Sequence, residues 1–387
     1  MKAPPFIARE ITSEIRRLGK AYPVLTLTGP RQSGKTTLCK RIFPRFAYFN
    51  LEDAGTRRLV EADPRAFLEV HASGGVIVDE AQRLPELFSA AQVVVDEKPS
   101  RRIVFTGSCN FLLMKSISQS LAGRTAVLKL PPLSLQELGK TRVAAPKEAL
   151  IFNGGYPRVW SGVLPPGDVF SDYYETYVER DLRRLEELRH LTAFKNFMRL
   201  CAGSVGCEFN ASAFANSVGV SLPTIQAWTS ILEASYIVFR LPPFFRNVRK
   251  RIVKRPKLYF CDTGLACWLI GAENAAQLET HPLRGNLFEN LVIAEFYKRA
   301  FARHDNAPRL FYYRDSTQNE VDLIEERAGR LDAYEIKSAS DFRENFTRGL
   351  DYFRNLFGAE VASTRVIYDG RVELDTSKNG VVNFRNL

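Results

Sequence analysis

VLTLTGPRQSGKTT, residues 24–37, is the stretch that decides how the rest of the chain is read. Its opening VLTLT has the apolar and β-branched composition of a buried strand, the glycine-bearing loop follows, and Lys35-Thr36-Thr37 opens a helix. Gly29, Pro30, Arg31, Gln32, Ser33, Gly34, Lys35 and Thr36 satisfy G-x-x-x-x-G-K-[ST] in full. The backbone N–H groups of such a loop wrap a phosphate chain, and the N-terminus of the helix behind it turns its positive end toward the same anion. Lys35 would reach the β and γ phosphates, the Thr36 hydroxyl would ligate Mg²⁺, and Thr37 completes the binding loop. The expected ligands are therefore ATP and Mg²⁺.

A second stretch supports the first. GGVIVDE, residues 74–80, reads as a buried parallel strand ending in two acids. Asp79 would hold the Mg²⁺ shell and Glu80 would orient and polarise the attacking water, which favours hydrolysis over transfer to an acceptor. A third strand, RRIVFTGS, ends at Ser108 with Asn110 close behind. Ser108 has two readings, a contact to the γ-phosphate or lytic water and a simple helix cap. Arg124, in SLAGRT, also has two: a surface arginine, or a residue that stabilises transition-state charge in a neighbouring subunit. The second requires a homo-oligomer.

At 387 residues, two to four domains are expected. A composition of 45% hydrophobic and 25% charged residues suits a globular protein with real cores. No apolar run approaches eighteen residues, so no membrane span is expected, and MKAPPFIAREI lacks the apolar stretch of a signal peptide. Both point to the cytoplasm. The six cysteines form no C-x-x-C pair and only four histidines are present, which argues against a zinc site. The net charge of +11 matters through its clustering: RNVRKRIVKRPK, residues 246–257, holds seven basic residues and no acid.

That run lies after helix-turn-helix grammar. In NASAFANSVGVSLPTIQAWTSILEASYIVFRLPPF, residues 210–244, a short helix is followed by a turn near Gly219. A second helix is capped by Ser221 with Pro223 just inside it. Thr224, Gln226 and Thr229 are expected on its outer side, with Ile225, Trp228, Ile231 and Leu232 inward. IVFRLPP and KLYFCD then read as strands on either side of the basic run, which makes the run a wing. Arg246, Arg249, Lys250, Arg251, Lys254, Arg255 and Lys257 are the expected contacts to DNA phosphates. A protein-binding winged helix with a solvated charge run is the other reading. Upstream, the helical stretch from Phe170 includes Arg180 and Asp181, read as a surface ion pair in preference to a contact with nucleotide.

The C-terminal third contains NEVDLIEERAGRLDAYEIK, residues 319–337. EVDLIEE and DAYEIKSA read as strands joined by a hairpin turn through Gly329, which would bring Asp322 beside Glu335. Strand alternation puts Glu335 and Lys337 on one side. Asp322 and Glu335 would hold a second Mg²⁺ or Mn²⁺, Glu289 from the preceding helix would complete its shell, and Lys337 would orient a water or offset developing charge.

Together GPRQSGKTT, YFNLED, VIVDEAQRLPELF, FTGS and SLAGR, followed by GGYPRV, YVERDL, YFCDTGLA, EVDLI and EIK, resemble a prokaryotic AAA-type P-loop ATPase family. Its members end in a PD-(D/E)XK restriction-endonuclease-like domain. The resemblance spans nearly the whole chain. It implies an α/β fold: an AAA-type P-loop ATPase core over 1–140, a helical lid over 141–190, a winged helix-turn-helix over 191–258 and a nuclease-like α/β domain over 259–387. It also places Glu289, Asp322, Glu335 and Lys337 in the nuclease-like constellation. The expected function is an ATP-hydrolysing, DNA-associated protein whose nucleotide cycle controls the winged helix and the nuclease-like domain. The alternatives are a DNA translocase or branch-migration motor with an inert nuclease fold, and a nucleotide-controlled protein-assembly switch.

Overall fold

The computed structural model describes residues 6–108, 119–177, 191–246 and 254–387. The chain divides into two units: Met1–Leu133 with Ile231–Ile237 and Arg299–Asn306, and Ser134–Ser230 with Val238–Lys298 and Ala307–Leu387.

The first unit is built on β1 (Val24–Thr28), β2 (Ala47–Asn50), β3 (Val76–Asp79), β4 (Ile103–Thr106) and β5 (Thr125–Lys129). They form one sheet in the order β2-β3-β4-β1-β5, every pairing parallel. VLTLT, VIVD and IVFT are buried at every residue, as strands covered on both faces must be. Alternation then sorts their side chains between two cores. Val24, Val76, Val78, Ile103 and Phe105 pack with Leu87, Phe88, Ala91, Val94 and Val95 of helix Glu86–Glu97. Leu25, Leu27, Ile77 and Val104 pack with Ile15 and Leu18 of helix Thr12–Ala21 and Leu38 of helix Lys35–Ile42. Burying each of these larger side chains contributes about 1.5–3 kcal/mol. The consequence for function is positional: the ends of β1 and β3 are held rigidly side by side through β4.

In the second unit a mixed sheet runs β12-β11-β10-β9-β8. Its strands are β8 (Leu310–Arg314), β9 (Glu320–Arg327), β10 (Arg330–Lys337), β11 (Val361–Tyr368) and β12 (Gly380–Asn383). The expected hairpin is present: β9 and β10 pair antiparallel around Ala328 (φ 47°) and Gly329 (φ 76°). Two left-handed residues in succession match the twist of the flanking strands. Helix Arg348–Phe357 covers the sheet with Leu350 and Phe353, packed among Val321, Ile324, Ala333 and Val366.

Helices Ala211–Val218 and Leu222–Ala234 are separated by Gly219 (φ 75°), and Ser221 caps the second by accepting from the Thr224 N–H at 3.3 Å. The two-stranded ribbon β6 (Val238–Leu241) and β7 (Lys257–Phe260) follows, antiparallel. Ile225, Trp228 and Leu232 are buried, as the spacing requires. Thr229, expected outward, is not: it is 2% exposed and its hydroxyl bonds to the Ile225 carbonyl at 2.7 Å. Four residues after Ile225, it shares the buried stripe, and the back-bond satisfies its polar atom. Among the described residues no helix is long and apolar enough to cross a membrane.

Candidate functional site

The first unit gathers the ATP residues at the ends of β1 and β3. Gly29 (φ 146°) leaves β1 so close to β5 that a Cβ there would lie 2.2 Å from the Leu130 carbonyl oxygen, so only glycine fits. Gln32 (φ 58°) and Gly34 (φ 92°) turn the loop through left-handed conformations, which aim successive N–H groups into a concave nest. Lys35 is buried, and its ammonium donates to the Gly29 and Pro30 carbonyls at 2.9 and 2.7 Å, folded back over the loop it serves. The sequence places Arg31, Ser33 and Thr37 in the same loop and helix start; Ser33 is fully buried.

Asp79 is the hub. Its carboxylate accepts from the Thr36 hydroxyl at 2.6 Å, from Tyr48 on β2 at 3.0 Å, from the Glu80 N–H at 3.1 Å, and from Thr106 at the end of β4. Burial, with the Asp79 carboxylate close by, pushes the Tyr48 phenol well above its ordinary range, so it acts as a neutral donor. Thr36 and Asp79 present adjoining hard oxygen donors, which suits Mg²⁺ held by a hydroxyl with a carboxylate behind it. Glu80 has φ 55°, a conformation that costs a non-glycine residue on the order of 1–3 kcal/mol and marks sites over-determined by their surroundings. One such restraint is visible: Gln82 donates to the Glu80 carboxylate at 2.6 Å and to the Ser108 hydroxyl at 3.3 Å.

Arg9 also belongs to this site. Its guanidinium is 7% exposed and donates to the Ser33 carbonyl of the loop at 2.7 Å and to the Pro131 carbonyl beyond β5 at 2.6 Å. Arg124 makes a two-point pair with Asp96 of its own chain, at 2.6 and 2.8 Å. Asn110, Arg180 and Asp181 lie outside the described residues. Tyr48, Gln82 and Thr106 lie within YFNLED, VIVDEAQRLPELF and FTGS, but the sequence assigned none of them a role; Arg9 lies in no quoted motif.

In the second unit Asp322 and Glu335 are brought together as the hairpin requires. The Asp322 carboxylate accepts from the Ile336 N–H at 2.7 Å, and Lys337 pairs with Glu335 while lying 4.0 Å from Asp322. Glu289, on helix Arg284–Ala302, accepts from the hydroxyl of Tyr259 on β7. Burial pushes the Glu289 carboxyl up to about 7, the Lys257 ammonium opposing and Asp322 adding to the shift. The Glu335 carboxyl is pushed up to about 8 by burial and by Asp322, against the pull of Lys337.

Two expectations change here. Lys257, expected on a DNA-facing wing, is 5% exposed and held by carboxylates, with Glu320 at 2.6 Å and Glu289 at 3.1 Å. It opens β7, paired opposite Leu241, so its side chain enters the interior instead of the solvent. Second, Glu289, Asp322 and Glu335 do not converge as a coordination shell. Among the described residues no three His, Cys, Asp or Glu side chains are arranged to hold a metal ion. Besides Lys337, which the pattern itself contains, the Lys257 ammonium stands against Glu289 and Glu320. Of the remaining basic run, Lys254 and Arg255 are exposed, Arg246 pairs with Glu360 at 2.5 Å, and Arg249, Lys250 and Arg251 lie outside the described residues.

A five-stranded parallel sheet in which β1 feeds a phosphate-binding loop and β3, one strand away across β4, runs into Asp-Glu defines a P-loop ATPase. A family model described as an AAA domain matches residues 21–139. Two models described as domains of unknown function, DUF8612 and DUF4143, match residues 146–276 and 284–387. The chain is similar to the uncharacterized protein Rv2008c of Mycobacterium tuberculosis, 31% identical over 340 residues that cover 86% of this chain and 74% of that one. It is 22% identical over 332 residues to the uncharacterized protein MJ1544 of Methanocaldococcus jannaschii, covering 78% and 71% of the two chains. Among solved structures, the Walker-type ATPase paby2304 of Pyrococcus abyssi aligns with a TM-score of 0.47 at 17% identity, over 70% of this chain and 99% of that chain. The chain belongs to the P-loop ATPase family that includes Rv2008c.

Proposed function

We propose that the chain is a cytoplasmic, homo-oligomeric, ATP-hydrolysing protein that associates with DNA, and that its nucleotide cycle governs a winged helix and a nuclease-like domain. The observation that carries the reading is the Thr36–Asp79 contact of 2.6 Å, with Lys35 and Glu80 on either side of it. On binding ATP, Lys35 exchanges the Gly29 and Pro30 carbonyls for phosphate oxygens, and the loop N–H groups wrap the β phosphate. Thr36 and Asp79 would hold Mg²⁺, which when bound offsets charge on the β and γ oxygens. Glu80 orients the lytic water, Gln82 and Ser108 position Glu80, and Arg124 leaves Asp96 to act on a neighbour's nucleotide.

The four-part division stands within this proposal: core 1–140, lid 141–190, winged helix 191–258, nuclease-like domain 259–387. What supports DNA contact is the helix pair around Gly219, the exposed Gln226 and Ser230 on the second helix, and the exposed Lys254 and Arg255. The test is ATP turnover with and without single-stranded, duplex and branched DNA. Stimulation by any of them supports the coupling; an unchanged rate across all structures and salt concentrations refutes it.

The Lys257 ammonium held between Glu289 and Glu320 supports a second reading, an ATP-driven DNA translocase or branch-migration motor whose nuclease fold is inert. Strand displacement with no cleavage of the same DNA panel selects it. A nucleotide-controlled protein-assembly switch predicts instead slow, DNA-insensitive turnover with a particle size that differs between ATP and ADP.

A further inference from the structure

The acid cluster of the second unit contains more than the nuclease-like pattern names. Four carboxylates face it, from Glu289, Glu320, Asp322 and Glu335, and two ammonium groups, from Lys257 and Lys337. Lys337 belongs to the pattern and lies on the same strand face as Glu335. Lys257 does not belong to it. It comes from β7, which is pinned along both edges: β6 pairs on one side, and on the other the Gly206 N–H donates to the Leu258 carbonyl at 2.8 Å while the Leu258 N–H donates to the Cys207 carbonyl at 3.0 Å. A lysine on so constrained a strand cannot easily leave. Its ammonium bridges Glu289 to Glu320 and lies 5.4 Å above the Tyr312 ring.

Burying an ammonium this far is costly unless its partners are close and its hydrogen bonds are made, as they are here. Glu289 is one of the carboxylates a divalent ion would need, and Lys257 takes one of its oxygens. Tyr259 donates to that same oxygen, Glu289 Oε1. At the far side of the cluster Glu335 Oε2 is buried without a hydrogen-bond partner. The cluster is thus occupied at the Glu289 end by an internal cation and is unsatisfied at the Glu335 end.

We propose that Lys257 is the resident cation of this cluster, standing where a divalent ion would draw Glu289 toward Asp322 and Glu335, and that this centre does not bind divalent metal while Lys257 remains there. The inference uses the nuclease-like reading only to choose the three acids. It is tested without DNA, so absence of cleavage leaves it intact.

The experiment titrates Mn²⁺ into the full chain without nucleotide and follows free Mn²⁺ by electron paramagnetic resonance. The chains compared are wild type, Lys257→Met, Lys257→Met/Glu320→Gln and each of these with Asp322→Asn. The double variant removes one charge of each sign, so the net charge of the cluster is kept, and Glu289 retains the hydrogen bond from the Tyr259 hydroxyl. Folding is followed by tryptophan fluorescence, since Trp160, Trp228 and Trp268 all lie in the second unit. The proposal expects wild type to show no Asp322-dependent Mn²⁺ binding. The folded Lys257 variants should gain one Mn²⁺ per chain, at least about tenfold tighter, lost again with Asp322→Asn. Asp322-dependent Mn²⁺ binding by wild type overturns it whether or not the variants fold. A folded variant that gains no Mn²⁺, or whose gain survives Asp322→Asn, overturns it too.

Discussion

Replacing Gln82 by alanine tests how Glu80, the acid proposed to orient the lytic water, is held. In the structure the Gln82 amide donates to Glu80 at 2.6 Å and reaches Ser108 at 3.3 Å, so one side chain joins the two strand ends that flank the lytic water's expected place. Glu80 meanwhile holds a left-handed backbone conformation at φ 55°. A hydrogen bond to an ionised partner contributes about 1.5–3 kcal/mol net. If that restraint is lost from the transition state, each 1.36 kcal/mol is about a factor of ten, so kcat should fall roughly 10- to 100-fold. Neither partner lies in the phosphate-binding loop, so KM for ATP should stay within about twofold, the signature of an interaction made chiefly in the transition state. Gln82→Glu sharpens the test: it sets a second carboxylate against Glu80, and part of the lost turnover should return at acidic pH as the pair shares a proton. Steady-state phosphate release across a range of ATP concentrations measures both constants. An unchanged kcat with raised KM would show that Gln82 serves binding, and a higher kcat would show that it restrains Glu80 in an idle position; either refutes the positioning role.

Arg9→Ala removes the guanidinium that ties the Ser33 carbonyl to that of Pro131, and the expected result is an ATP KM and ADP Kd raised roughly 10- to 100-fold, with Arg9→Lys intermediate because an ammonium cannot span both carbonyls; wild-type nucleotide affinity in Arg9→Ala would contradict this. The stability of the second unit should fall as pH rises. The folded-state carboxyls of Glu289 and Glu335 are raised to about 7 and about 8, so the native state holds more protons than the unfolded chain between the ordinary carboxylate range and those values. The contribution is full below the unfolded value and lost through the folded one, a drop on the order of a few kcal/mol that Glu335→Gln should flatten in tryptophan-detected denaturant unfolding. An equal pH slope in both chains would rule out Glu335 as the source. Lys254→Ala/Arg255→Ala should weaken DNA binding across sequences and reduce the salt-dependence slope by about two, measured by fluorescence anisotropy; an unchanged slope would remove the wing from the interface.

The legible parts of this protein are those whose chemistry is contiguous in sequence. The phosphate loop needs glycines, a lysine and a threonine at fixed offsets, and the acids of β3 need only an apolar run before them, so 29–37 and 79–80 could be read without coordinates. The hairpin through Gly329 was legible for the same reason, since turn residues and strand alternation are local. Asp79's other donors were not: Tyr48 and Thr106 reach it only through the parallel register of β2, β3 and β4, which no short pattern encodes. Thr229 was misplaced because a polar residue was assigned outward despite its four-residue spacing from Ile225, a spacing that shares a helix face. Lys257 was misplaced because its neighbours in the chain are basic and exposed. Its true partners, Glu289 and Glu320, are more than thirty residues away, and a charge run gives no sign of which member turns inward.

The central claim is that Asp79 and Glu80 beside the phosphate loop hydrolyse ATP. The most direct measurement is phosphate release by wild type, Lys35→Ala and Glu80→Gln, with equilibrium ATP binding determined for each chain. The account predicts turnover by wild type, loss of both binding and turnover in Lys35→Ala, and wild-type binding with turnover reduced at least about 100-fold in Glu80→Gln. Hydrolysis by Glu80→Gln at the wild-type rate would contradict it.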